Sequence, residues 1–179
     1  MKATGIVRRI DDLGRVVIPK EIRRTMRIRE GDPLEIFTNR DGEVIFKKYS
    51  PIGELSGFAF QYAEAINKAV AFPVCISDKD NVIAVCGAPK KEFLEKKISP
   101  DIEKILDEKI PYVSKSTSKS VGIVDGGDKY SAGIVYPIIS EGDCIGSVII
   151  FSENGGAFGE TEEKVAKSAS IFLGKQMEE

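Results

Sequence analysis

The apolar side chains change their spacing along the chain, and each change predicts an element. Residues 4–10 (TGIVRRI) have the β-branched content of a strand. Asp11, Asp12, Leu13 and Gly14 form a turn cluster, and residues 15–18 (RVVI) read as a second short strand. Pro19 fits the first position of a helix, where its missing N–H costs nothing. In the KEIRRTMRI run after it, Ile22 and Met26 share one face at i, i+4, while Arg23, Arg24 and Arg27 fall on others. Gly31, Asp32 and Pro33 supply the expected stop. Residues 34–38 and 43–49 then alternate like strands, and Asp41-Gly42 between them signals a hairpin.

Ser50, Pro51, Ile52 and Gly53 read as a connection, with residues 51–55 as a linker leading into a helix. The period lengthens over residues 54–71, where Leu55, Phe58, Ala59, Tyr62, Ile66 and Val70 recur at helical spacing. Residues 74–77 and 82–86 flank a polar turn and predict a second hairpin. Residues 89–97 and 100–109 read as short helices that open near a proline. A short strand at 112–114 and a polar loop at 115–120 come next. Residues 121–125, 132–139 and 144–151 predict three more strands. Residues 160–177 close the sequence as an amphipathic helix with acids in its first turn, where the helix dipole favours them. Strands joined by tight turns between helices predict an α+β fold, with an antiparallel sheet flanked by helices over residues 56–179.

Residues 1–50 make a module too small to bury a good core from so few apolar side chains. Dimerisation is the expected remedy, with strands of two chains completing one small barrel. Charge sharpens the division. The net charge of −2 splits into +4 over residues 1–50 (12 Lys and Arg, 8 Asp and Glu) and −6 over residues 51–179 (14 and 20). Between Arg8 and Arg29 stand eight cations, Arg8, Arg9, Arg15, Lys20, Arg23, Arg24, Arg27 and Arg29, against three acids. A basic module on an acidic remainder points to nucleic acid as the partner of the first part alone. Asp11 and Asp12 either orient Arg8 or Arg15 by ion pairing or act as plain turn residues.

The remaining chemistry is sparse. There is no histidine, which removes the usual general base and most zinc sites. No catalytic residue, metal site or cofactor is expected. Cys75, Cys86 and Cys144 are too few for a disulfide framework, and each lies in an apolar segment, so core packing is the expected role. The alternative is thiol catalysis by Cys75 and Cys86 on adjacent strands. The sequence shows no signal pattern and no apolar run of membrane-spanning length, so a cytoplasmic, nucleoid-associated protein with no membrane partner is expected.

The run over residues 4–37, TGIVRRIDDLGRVVIPKEIRRTMRIREGDPLEIF, resembles the swapped-hairpin DNA-binding domain of the AbrB-type transition-state regulators, and GRVVIPKEIRR is its specific part. The whole chain is similar to sporulation-stage regulators of spore-forming bacteria that join this domain to a C-terminal GAF domain. The resemblance implies a transcription factor, activator and repressor, whose two N-terminal modules interlock into one barrel on double-stranded DNA. It assigns the DNA contacts to Arg8, Arg15, Arg23 and Arg24, with Arg9 filling a position where lysine is common. It further implies a dimer through the barrel and a tetramer through the GAF domains. The GAF-like part either senses a small ligand between residues 89–109 and 115–128, or uses a collapsed pocket for dimer packing. Related swapped hairpins also occur in antitoxins, which hold a toxin through an acidic, disordered tail.

Overall fold

A computed structural model describes residues 5–54, 56–114, 120–153 and 155–178. The chain divides into two compact units, Met1–Tyr49 and Ser50–Glu179. The fold is α+β, with antiparallel sheets in both units.

In the first unit, helix α1 spans Lys20–Met26 and the hairpin β1 (Leu34–Thr38) and β2 (Val44–Lys48) follows it. The β1–β2 register runs from Leu34 opposite Lys48 to Thr38 opposite Val44. The Asn39 side chain builds the connecting turn: its Oδ1 accepts from the N–H groups of Asp41 and Glu43 at 3.1 and 2.9 Å. Gly42 supplies the left-handed φ of 79° that the turn requires. The expected strands at 4–10 and 15–18 have no ladder partner among the described residues. Strand geometry without a neighbour leaves backbone groups to water, so one chain alone cannot assign them as sheet. Pro19 sits just before the helix rather than inside it, with φ −56° and ψ 146°. The helix also ends earlier than Gly31: Arg27 takes a left-handed φ of 52°, and its N–H and that of Ile28 cap the Arg24 and Arg23 carbonyls.

The second unit is a three-layer arrangement. Its sheet has the order β4-β3-β7-β6-β5, antiparallel throughout. The strands are β3 (Val74–Asp78), β4 (Val82–Cys86), β5 (Tyr112–Val113), β6 (Ser131–Ser140) and β7 (Asp143–Ser152). Helices α3 (Ser56–Val70) and α6 (Glu160–Gln176) cover one face. Their small residues Ala59, Ala63, Ala166 and Ala169 let them lie close on Ile76, Ile134, Ile138 and Ile150. The closest approach is at Gly174, where a Cβ would run into the Ile139 carbonyl. Helix α5 (Pro100–Glu108), the short helix α4 (Lys90–Phe93) and residues 121–124 cover the other face, over Val85, Val135, Ile149 and Phe151. Ser99 caps α5, accepting from the Ile102 N–H at 3.2 Å and donating to the Gly122 carbonyl at 2.6 Å.

Three expectations change here. Pro51–Glu54, read as linker, is a helical turn (α2) whose Ile52 is fully buried. Burial of one large aliphatic side chain, worth about 1.5–3 kcal/mol, suffices to fix so short a turn on the sheet. Residue 55 lies outside the described residues. The helix expected over 89–97 stops at Phe93, because the Glu95 N–H and the Lys96 carbonyl turn back to bond Val82. Residues 121–125 form isolated bridges, Gly122 to Ser131 and Val124 to Ile98, rather than a strand. The loop expected at 115–120 falls, except for Ser120, outside the described residues.

Candidate nucleic-acid interface

The turn before α1 is built by one carboxylate. Asp11 Oδ1 accepts from the N–H groups of Leu13 and Arg15 at 3.1 and 2.8 Å, and Oδ2 accepts from Arg15 Nε at 2.8 Å. The Asp11 N–H donates to the Arg15 carbonyl at 3.0 Å, which returns Arg15 to within two residues of Arg9. Gly14 provides the φ of +77°. The Arg15 backbone N–H, followed by its guanidinium, holds the Asp11 carboxyl below its ordinary value. Both readings of Asp11 therefore hold at once, since it is a turn residue and it orients Arg15.

Arg8, Arg9, Arg15, Arg23 and Arg24 are all exposed. Arg8, Arg9, Arg23 and Arg24 make no ion pair with another described residue, and Arg15 pairs with Asp11. Arg23 and Arg24 stand on α1, a separate element from the Arg8–Arg15 turn. Arg27 and Arg29 are half-buried and belong to the framework instead. Lys48 Nζ donates to the Arg27 carbonyl at 2.9 Å and lies 3.5 Å from the Asp32 carboxylate, which is itself buried and accepts from the Arg29 N–H at 2.8 Å. This knot ties the end of α1 to β2. Sequence reasoning missed it and treated Asp32 only as part of a helix stop. The signal was an acid between Gly31 and Pro33, where its side chain can reach backbone N–H groups.

The first unit buries almost nothing. Pro19 is the one residue buried as a whole among its described residues, beside the Asp32 carboxylate. Val7, Ile10, Val17 and Met26 are 89, 69, 68 and 56 % exposed, and Val16, Ile36, Val44 and Phe46 are exposed as well.

In the second unit the cysteines separate. Cys75 lies opposite Val85, and Cys86 opposite Val74, so the two thiols point to opposite faces of the sheet. Cys75 and Cys144 are buried, and loss of solvation pushes both thiols up, away from the reactive thiolate. Among the described residues, no group of three or more metal-ligating side chains comes together, and no helix is long and apolar enough to cross a membrane. A cavity of about 310 Å³ opens between α4 and residues 123–130, and Phe93 and Tyr130 are among its lining residues.

Comparison with known proteins places both units. Residues 54–178 match the family described as stage V sporulation protein T C-terminal, transcription factor. Residues 7–53 match that described as antidote-toxin recognition MazE, bacterial antitoxin. The chain is 56% identical over 180 residues to stage V sporulation protein T of Bacillus subtilis (strain 168), covering all of both chains. It is 61% identical over 51 residues to the transition state regulatory protein AbrB of the same organism, covering 28% of this chain and 52% of that one. Among solved structures, the GAF domain of an Acinetobacter phosphoenolpyruvate-protein phosphotransferase superposes with a TM-score of 0.58 at 11% identity, over 69% of this chain and 81% of that chain. The second unit therefore has the GAF fold.

Proposed function

Because the chain belongs to the stage V sporulation protein T family, we propose that it is a sequence-dependent DNA-binding transcriptional regulator of sporulation-stage gene expression, acting as activator and as repressor. The observation that carries this reading is the exposed arginine set, four members of which have no described ion-pair partner. Guanidinium groups match phosphates and guanine edges with paired hydrogen bonds, so Arg8, Arg9, Arg15, Arg23 and Arg24 are the proposed DNA contacts. With α1 only seven residues long, readout falls to the turn, this short helix and the deformability of the DNA.

Residues 1–50 act as the DNA-binding domain, and residues 56–179 as the regulatory and oligomerisation domain. The exposed apolar side chains of the first unit support a dimer in which two chains interlock and bury them in one barrel. Val7, Ile10, Val16, Val17, Ile18, Ile22 and Met26 would build its half-core. The aromatic cluster of half-buried Phe58 and Tyr62 with exposed Phe172, Tyr62 and Phe172 ring centroids 5.3 Å apart, supports a second contact through α3 and α6 and hence a tetramer. The cavity beside α4 is the place for small-ligand sensing. We assign no catalytic step to the chain, and we place the protein in the cytoplasm on the nucleoid.

Genome-wide mapping of bound DNA, with the full chain and with the five arginines replaced by alanine, tests the reading. Discrete sites lost in the variant are expected. An unchanged map would overturn the arginine assignment, and no bound sites at all would overturn the function. The match of residues 7–53 to an antitoxin family raises a second reading, capture of a toxin. The folded sheet of residues 50–179 opposes it, and copurification of a small toxin in place of DNA would revive it.

A further inference from the structure

The cavity beside α4 carries charges of both signs that leave one another alone. Lys91 and Glu92 reach it from α4, Lys96 from the turn after α4, and Asp125 from the segment opposite. None of these four makes an ion pair with another described residue. The backbone nevertheless brings the last two close together. The Asp125 N–H donates to the Lys97 carbonyl at 2.9 Å, and Ile98 bridges Val124 beside it. Lys91 and Glu92 are sequence neighbours, which a helix directs about 100° apart, so they cannot pair with each other across its surface.

The apolar part of the cavity is fixed in shape. Phe93 is buried, with its ring centroid 5.1 Å from that of Tyr130 in an edge-on contact. Tyr130 meets Phe151 edge-on at 5.7 Å. Lys129 Nζ stands 3.3 Å from the Tyr130 hydroxyl and 3.3 Å from Glu153, which fixes the tyrosine from above and commits that third lysine elsewhere. At about 310 Å³ the space is at the lower end of ligand pockets, roughly 300–1,000 Å³, and so fits a metabolite rather than a dinucleotide.

We propose that this cavity binds a small zwitterion, a free amino acid with an apolar side chain, its carboxylate toward Lys91 and Lys96, its ammonium toward Glu92 and Asp125, and its side chain on Val124 and Tyr130. A simple organic anion would leave the two acids facing its own charge, and a simple amine would leave the two lysines facing its own. Only a ligand carrying both charges meets all four groups with opposite sign.

This inference rests on the small-ligand reading above, and the test separates them. Isothermal titration calorimetry on the full chain would use L-valine, L-leucine, L-methionine and L-phenylalanine, each beside the amine and the carboxylic acid that share its side chain. At least one amino acid should bind, and its two single-charge relatives should bind at least about tenfold more weakly. Lys96→Ala should erase the preference for the amino acid over its amine, and Asp125→Asn the preference over its carboxylic acid. Both side chains are exposed, so folding is retained, which a thermal melt checks. Equal binding of amino acid and carboxylic acid, or no binding by any of the four amino acids, overturns the proposal. DNA affinity measured on the same samples reports on the sensing role separately: binding without a change in DNA affinity upholds the zwitterion site and refutes sensing.

Discussion

Alanine at Arg24 should flatten the salt dependence of DNA binding by a calculable amount. Each neutralised phosphate contributes about 0.9 to the slope of log affinity against log salt. A dimer presents each arginine twice, so one substitution removes two contacts and about 1.8 from the slope. Over a roughly fourfold rise in salt, the variant should then lose about tenfold less affinity than the native chain. Arg23→Ala should behave alike, because both side chains are exposed and make no ion pair with another described residue. Arg15→Ala should flatten the slope less, since Asp11 already offsets part of that charge at 2.8 Å. Fluorescence anisotropy on a labelled operator fragment, titrated at several salt concentrations, measures all three slopes. Lys104→Ala, an exposed side chain on α5 that pairs with Glu108 at 3.7 Å, is the control with no expected change. Slopes for Arg23→Ala and Arg24→Ala equal to that control would refute the phosphate assignment. A larger effect at Arg15 than at Arg24 would refute the role given to Asp11.

The Asp11 carboxyl should titrate below 3.8 in an NMR pH series. A depressed carboxyl stabilises the turn above that ordinary value and releases it only as pH falls through the lower, folded value, so a midpoint at or above 3.8 would contradict the hydrogen bonds drawn to Arg15. A thiol reagent should modify Cys86 in the native chain while Cys75 and Cys144 react only on unfolding, and a cysteine-free variant should keep its DNA affinity; fast reaction of Cys75 would reopen thiol chemistry. Gly174→Ala should lower stability by about 1–3 kcal/mol in denaturant titration, because the new Cβ meets the Ile139 carbonyl, and an unchanged midpoint would show that α6 can move off the sheet. Phe172→Glu, at a ring that is 41 % exposed, should reduce the assembly to dimers in analytical ultracentrifugation; a tetramer that survives it places that contact elsewhere.

The second unit was largely legible in the sequence because its elements satisfy themselves within one chain. Ile66 and Val70 recur at helical spacing because the α3 face that carries them meets the sheet. The β3–β4 hairpin was legible from its apolar runs, since both its strands are covered on both faces. The errors fell where short-range pattern competes with long-range bonding. Residues 94–97 look helical until Val82, more than ten positions earlier in the chain, takes their backbone groups. Cys75 and Cys86 look adjacent until register assigns them opposite faces. The cavity was legible only as a region, since its charged groups meet through bridges such as Ile98 to Val124 that no local spacing encodes.

The first unit fails to close for a different reason, and the failure is informative. Its local code is sound: Asp11 builds the turn, Arg27 ends the helix, and Asn39 and Gly42 close the hairpin. What is missing is a surface for Val7, Ile10 and Val17, each more than two-thirds exposed. Left in water, three such side chains forgo about 1.5–3 kcal/mol each, a large share of the stability of any small domain. Under the proposed interlocked dimer, a second copy would supply both that surface and ladder partners for residues 5–10 and 15–18. Val7 and Ile10 flank Arg8 and Arg9, and Val16 and Val17 follow Arg15 directly, so whatever orders the apolar set would order the arginines of the same segments. The proposed core and the proposed DNA contacts then belong to one segment, and on this reading the strength of DNA binding would depend on the association of chains as much as on the arginines themselves.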